Sequence, residues 1–329
     1  MQDVPNLVYF PDTRPGISRR RAGRGFSYRA PDGTRIENRR ERARLDALAV
    51  PPAYEQVWIC PEADGHLQAT GRDARSRKQY RYHEAWTAFR AQKKYGDLAR
   101  FGAALPRIRR RISEDLGGEA GERRVATAAV LAMIDRLSLR VGNRDYAAEN
   151  GTYGATTLRP RHVALTPDAL TLNYRGKGGL RIKRHLKDRR LAQVLHQLDD
   201  LPGATLVTWL DDDGKAHEVT SAEVNEFLAE ISGQDGFTAK TFRTWNGSAA
   251  AMEAALEEES LTIKRMADAA AARLGNTPAI ARNSYIHPEV IALADWEAEA
   301  RRDLAAAGST RRGLRRAERA LLHLLDPEA

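Results

Sequence analysis

LGNTPAIARNSYIHP, residues 274–288, sets a helix stop, a helix start and a placed tyrosine side by side. Gly275 can stop the Ala-rich helix before it, Thr277 can cap the next one, and Pro278 suits a first turn, where a missing N–H would be unpaired anyway. Tyr285 then falls near the end of a helix of about two turns, nine residues after Asn276. Such a tyrosine is either an exposed, positioned phenol or a packing residue with a wet hydroxyl. The local pattern leaves both open.

With 329 residues and 42% hydrophobic content, the chain is expected to fold into about two domains. It has no apolar run long enough to span a bilayer, and Met1–Arg20 carries no apolar segment followed by a cleavage site. A cytoplasmic protein is therefore expected. Cys60 is the single cysteine, which excludes an internal disulfide and a Cys-rich zinc site. No HExxH spacing and no GxxxxGK[ST] loop occurs, so neither a metal nor ATP is implied and no cofactor is expected. The net charge of +9 is concentrated at the front: residues 1–95 hold 19 Lys and Arg against 11 Asp and Glu, and the remainder is nearly balanced. A cationic front module points to a polyanion, nucleic acid first, with a solubilising surface as the plain alternative.

Residues 26–83 alternate short strand-like runs with turns. Phe26–Arg29 precedes Pro31-Asp32-Gly33, and Gln56–Cys60 precedes Asp64-Gly65 and His66–Thr70, with Asp-Gly as the hairpin signal. Asn38–Leu48 suits a short helix. Arg72, Arg75, Arg77, Lys78, Gln79, Tyr80, Arg81 and Tyr82 interleave cations with aromatics, the composition for phosphate contacts plus stacking or, alternatively, a solvated loop. These features are expected to form a small, basic, β-rich domain over residues 1–90, with DNA binding as the first reading of its charge. Glu84–Tyr95 is helix-compatible and could bridge to the second domain, residues 91–329, which is mainly helical. There Thr220-Ser221-Ala222-Glu223 is a capping box for a helix burying Val224, Phe227, Leu228 and Ile231. Val163–Leu165, Ala169–Tyr174 and Leu180–Lys183 form a three-stranded antiparallel piece. Thr310–Arg319 is an Arg-rich helix candidate with a solvated face. The fold class is α+β.

Four further places join Tyr285. Arg140, in the segment Leu139-Arg140-Val141-Gly142-Asn143, follows an apolar helical run and sits at its terminus. Lys177 projects from a glycine-flanked turn, Arg175-Gly176-Lys177-Gly178-Gly179. Lys240 and Arg243 lie one turn apart on one helix face, and Asn276 follows a helix stop with an amide that could point out as a donor. Phosphoryl transfer to a tyrosine needs neutralisation of two nonbridging oxygens and a proton for the leaving oxygen. Arginine forks suit the first need, and a lysine, which can give up its proton, suits the second. Each residue also has a plain reading as a helix-end cap, ion pair or solvated turn.

Taken in order, the RxGN arginine, the hairpin lysine, the KxxR helix start, LGNTP and the tyrosine nine residues on resemble the type IB DNA topoisomerases of the compact poxviral and bacterial group. The resemblance runs from GRDARSRKQYRYH, residues 71–83, to SYIHP. It implies a two-domain clamp around duplex DNA, acting as a monomer, largely sequence-independent and without ATP or metal. It further implies that Tyr285 forms a 3′-phosphotyrosyl link while Arg140 and Arg243 clamp the nonbridging oxygens. Lys177 would protonate the leaving 5′-oxygen, with Lys240 a possible assisting acid. Asn276 departs from the pattern, since many relatives carry histidine there; an amide can donate a hydrogen bond but cannot become cationic. A tyrosine recombinase shares this arrangement and is the alternative, though it usually carries histidine where this chain has Lys240. A non-catalytic DNA-binding module would explain the charge but not the coexistence of these residues.

Overall fold

A computed structural model of the chain describes residues 6–233, 236–307 and 312–327. Contacts divide the molecule into two units, Met1–Gly96 and Asp97–Ala329.

The first unit is built on five antiparallel strands, β1 (Ile17–Ala22), β2 (Gly25–Arg29), β3 (Glu55–Ile59), β4 (Leu67–Arg72) and β5 (Lys78–Tyr82), in the order β2-β1-β3-β4-β5. Helix α1 (Arg39–Ala47) starts where Asn38 accepts a hydrogen bond from Glu41 N–H, the usual N-cap arrangement. Ile17, Tyr28, Leu45, Val57, Ile59 and Ala69 close the core beneath the sheet. One local expectation changes, and one strand has no counterpart in the sequence reading. The basic stretch after Gly71 is the β4–β5 hairpin and not a loop, with Thr70 opposite Tyr80. Strand β1 carries Arg19, Arg20 and Arg21 in succession, a pattern with no apolar alternation. It forms because Ile17 enters the core and Arg19 donates to the carbonyls of Val50, Pro51 and Tyr54. Helix α2 (Glu84–Gly96) is the last element of this unit, with the Trp86 ring edge-on to buried His66 at 5.3 Å.

The second unit contains α3 (Leu98–Asp115), α4 (Arg123–Leu137), α5 (Arg144–Asn150), α6 (Arg189–Asp199), α7 (Ser221–Ser232), α8 (Ala239–Glu257), α9 (Ile263–Leu274), α10 (Pro278–Tyr285), α11 (Pro288–Ala292), α12 (Ala298–Ala307) and α13 (Arg316–Leu325). The three-stranded sheet β6 (Val163–Leu165), β7 (Ala169–Arg175) and β8 (Arg181–Lys187) and the hairpin β9 (Thr208–Leu210) with β10 (Ala216–Glu218) complete it. Helix α4 is buried throughout Val125–Asp135, where only Thr127 and Asp135 are polar, as a helix surrounded by others must be. Phe101 meets Phe237, Phe242 and Trp245 edge-on at 5.4, 5.0 and 6.1 Å, contacts worth about 0.5–1.5 kcal/mol each beyond burial. They anchor α3 to α8, the helix that carries Arg243. The C-terminal helix starts at Arg316, with residues 312–315 outside it, and Thr310 and Arg311 of the expected helix lie outside the described residues. It buries Ala317, Glu318, Ala320, Leu321 and Leu322, so its apolar stripe and not its arginines decides its packing. The molecule is α+β. No helix among the described residues is long and apolar enough to cross a membrane.

Candidate active site

Helix α4 ends at Leu137, where Ser138 adopts a left-handed conformation (φ 55°). Arg140 therefore lies three residues beyond the helix in an irregular segment, not at its terminus. That segment is held by Gly154, whose neighbours leave no room for a side chain: a Cβ there would fall 2.6 Å from Arg140 O and from Gly142 Cα. Ala155 N–H donates to Arg140 O at 2.8 Å and Thr156 N–H to Val141 O at 2.7 Å. The glycine of the RxGN segment thus serves a close approach of two backbones.

Gly275 ends α9 in the left-handed conformation (φ 62°), and Asn276 N–H closes the turn on Ala271 O at 3.1 Å. Thr277 caps α10 by accepting from Ile280 N–H, Pro278 occupies the first turn, and Tyr285 is the last helical residue. These local expectations for 274–285 match the structure.

Four of the singled-out side chains meet. Arg140 Nη2 donates to Asn276 Oδ1 at 2.5 Å, and Arg243 Nη2 approaches the same oxygen at 3.5 Å. Arg243 is only 3% exposed; it also donates to Ser138 O and, at 3.1 Å, to Leu274 O, and its guanidinium carbon lies 5.1 Å from the Tyr285 ring centroid. Burial, with repulsion from Arg140, brings the Arg243 guanidinium down to about 10. Two N–H donors of this cluster, Arg243 Nε and Asn276 Nδ2, are buried with no hydrogen-bond partner. Buried donors are almost always satisfied, so a cluster with two orphans suits an acceptor-rich ligand group.

Tyr285 and Tyr174 make an instructive pair. Both phenols feel Arg140 and Arg243, yet burial pushes Tyr174 up to about 12 against them. For half-buried Tyr285, burial also acts upward, but the charge and hydrogen bond of Arg243, with the charges of Arg140 and Lys240, outweigh it and hold the phenol below its usual range. Of the two, Tyr285 is the one tuned toward phenolate, the nucleophilic form.

Lys177 is exposed in the turn between β7 and β8, flanked by Gly178 and Gly179, both at φ 78°. Among the described residues it makes no hydrogen bond or ion pair, and it is not joined to the cluster. Its hairpin is nevertheless docked beside the cluster: Arg184 of β8 donates to Ala272 O and Arg273 O at the end of α9, at 3.0 and 3.1 Å. Lys240 is exposed one turn before Arg243. Sequence reasoning missed Tyr174, Ser138, Asn246 and Ser248, which surround the cluster; only strand alternation around Tyr174 could have flagged one of them.

On the first unit, the basic segment divides into engaged and outward residues. Asp73 accepts from Arg77 Nε at 2.8 Å, from Gln79 Nε2 at 2.9 Å and from the N–H groups of Arg75 and Arg77. Hydrogen bonding from Arg77 holds this carboxyl far below the ordinary carboxylate range. Lys78 pairs with Asp12 at 2.5 Å, and Arg72 donates to Gln56 and Ser76. Tyr80 and Tyr82 are half exposed with rings stacked at 6.1 Å, and the side chains of Arg75 and Arg81 make no ion pair or hydrogen bond among the described residues. Arg75, Tyr80, Arg81 and Tyr82 are thus the members free to meet a partner.

Residues 83–299 match the family model of the eukaryotic DNA topoisomerase I catalytic core, and residues 25–73 match that of the bacterial DNA topoisomerase IB N-terminal domain. The chain belongs to the type IB DNA topoisomerases. It is 29% identical over 286 residues to DNA topoisomerase 1B of Acanthamoeba polyphaga mimivirus, covering 82% of this chain and 85% of that one. Identity to DNA topoisomerase I of Monkeypox virus is 24% over 254 residues, covering 73% and 76%. As a member of this family the protein is an isomerase acting on DNA, and the match to the catalytic core spans every residue of the cluster.

Proposed function

We propose that this topoisomerase relaxes supercoiled duplex DNA through a transient 3′-phosphotyrosyl link at Tyr285. The half-buried phenol releases its proton to solvent water and its oxygen attacks a backbone phosphorus; the bond from phosphorus to the 5′-oxygen breaks, and the electron pair leaves on that oxygen. Lys177 supplies the proton that makes a free 5′-hydroxyl. Arg140 and Arg243 neutralise the nonbridging oxygens, and Asn276, its carbonyl turned to the arginines, presents its amide N–H to one of them. Lys240 supports the phenolate by its charge. The downstream duplex rotates about the intact strand, and the 5′-hydroxyl reverses the reaction. Bond energy is kept in the phosphotyrosine, so neither ATP nor a metal enters the chemistry.

The observation that carries this reading is a phenol held below its usual range among three cations, beside two orphaned N–H donors. Arg75, Arg81, Tyr80 and Tyr82 supply phosphate contacts and stacking on the duplex, largely independent of sequence. The enzyme acts as a monomer in the cytoplasm, on the nucleoid. Incubation with supercoiled plasmid in EDTA without ATP tests it: relaxed topoisomers are expected. Recombined products in their place would point to a recombinase.

A further inference from the structure

The exit of α10 is fastened to α8 by a side chain with no assigned role. Tyr285 is the last residue of α10 and Ile286 turns extended (φ −101°, ψ 131°). The Tyr285 carbonyl is thus one of the carbonyls a helix end leaves without an intrahelical partner. Ser248 Oγ donates to it at 3.2 Å and accepts from His287 N–H at 2.9 Å. Ser248 is 0% exposed. A mid-helix serine ordinarily bonds its own preceding turn or faces solvent; this one instead bridges both sides of Ile286. A hydroxyl can do so because it donates and accepts at once.

Its neighbour completes the contact. At Gly247 a Cβ would lie 2.9 Å from Tyr285 O, 3.0 Å from Tyr285 Cβ and 3.0 Å from Leu274 Cδ1. Only a residue without a side chain lets α8 approach the tyrosine this closely. The same turn of α8 grips the other segments of the cluster. Asn246 Nδ2 donates to Asp135 O at 3.0 Å and to Ser138 Oγ at 3.1 Å, and Arg243 donates to Ser138 O and Leu274 O.

We propose that Gly247 and Ser248 form a latch that positions the Tyr285 phenol against Arg243, making Ser248 a positioning residue for the cleavage step. The proposal rests on Tyr285 being the nucleophile. One rigid helix carries both the charge-neutralising guanidinium and the fastening of the attacking group. The distance between them is therefore set by α8 and not by the end of a short helix alone. Misplacement of a reacting group by about 1 Å can cost on the order of 100-fold in rate.

The test compares full-length wild type, Ser248→Ala, Gly247→Ala and Tyr285→Phe on a radiolabelled duplex. It measures DNA affinity, the single-turnover rate of covalent adduct formation at saturating enzyme, and the dependence of that rate on pH. Ser248→Ala and Gly247→Ala are expected to slow adduct formation by about 10- to 100-fold, with DNA affinity unchanged. Their rate should rise with pH at a higher pH than in the wild type, because a loosened phenol drifts from Arg243; a merely structural defect would leave that profile in place. Gly247→Ala adds a methyl group where Ser248→Ala removes a hydroxyl, so if one variant fails to fold the other carries the test. Wild-type adduct rates in the folded latch variants, with none from Tyr285→Phe, would overturn the latch and leave the nucleophile standing. Adduct from Tyr285→Phe would overturn both.

Discussion

Arg109 of α3 is the bolt of the catalytic unit, and its removal has a calculable cost. It grips Asp135 of α4 through Nε and Nη2 at 2.8 and 3.0 Å, and Glu318 of α13 through Nη1 and Nη2 at 2.8 and 2.7 Å. Both carboxylates are nearly inaccessible, at 3% and 2%. Replacing Arg109 by Met keeps the stem but leaves two buried carboxylates without their cation, a loss of about 3–5 kcal/mol. In a unit of this size each kcal/mol shifts the melting temperature by about 2–4 °C, so a fall of roughly 6–20 °C is expected. The pH dependence fixes the cause. In the native protein burial raises Glu318, but the bonds and charge of Arg109 win and hold it below its usual range. Its stabilisation is thus present above the unfolded carboxyl pKa and lost as pH falls through the folded value. Without Arg109 burial is opposed only by the backbone N–H and the charge of Arg315, and the folded pKa rises. The deficit should then be full at pH 8 and shrink toward pH 5, as Glu318 takes up a proton. Thermal unfolding followed by circular dichroism at both values measures it. A shift under about 2 °C at pH 8, or equal shifts at both, would refute the reasoning.

At the site itself, Arg140→Ala and Arg243→Ala should each slow cleavage by about 100- to 1,000-fold, the scale for losing one oxyanion donor; near-normal single-turnover rates would remove either from the chemistry. Lys177→Ala should be slow on ordinary DNA but recover when the bridging 5′-oxygen is replaced by sulfur, since a thiolate leaves without an acid. Arg140→Ala should not recover on that substrate, and failure of Lys177→Ala to recover would move the proton donor elsewhere, Lys240 first. Replacing Arg75 and Arg81 together by Gln should weaken DNA binding and make the slope of log affinity against log salt shallower by roughly 1.8, two phosphate contacts' worth. An unchanged slope would return both arginines to a solubilising surface.

What was legible in the sequence was what local rules decide. Gly275, Thr277 and Pro278 act within one turn of themselves, so the end of α9 and the start of α10 follow from the chain alone. The turn carrying Lys177 does so as well, because glycine can take its left-handed angles without strain. Strand β1 was not legible, since its order comes from Arg19 bonding carbonyls 31 to 35 residues away. Arg140 was misplaced for the same reason: Gly154, far along the chain, sets the path after α4. Charge also misled. The arginines around α13 suggested a wet face, while Leu321 and Leu322 bury the helix. Ser248 carries no signal of its own, because its surroundings exist only once α8 and α10 are assembled, and strand alternation marks Tyr174 as inward-facing on β7 without marking it as a neighbour of the cluster.

The most direct measurement is to trap the covalent complex on a duplex labelled on the cleaved strand, digest it, and identify both the modified residue and the strand end it holds. A phosphotyrosine at Tyr285 on the 3′-phosphate, with a free 5′-hydroxyl on the partner fragment, is expected. A link through any other side chain, or to a 5′-phosphate, would contradict the assignment of the nucleophile and the mechanism built on it.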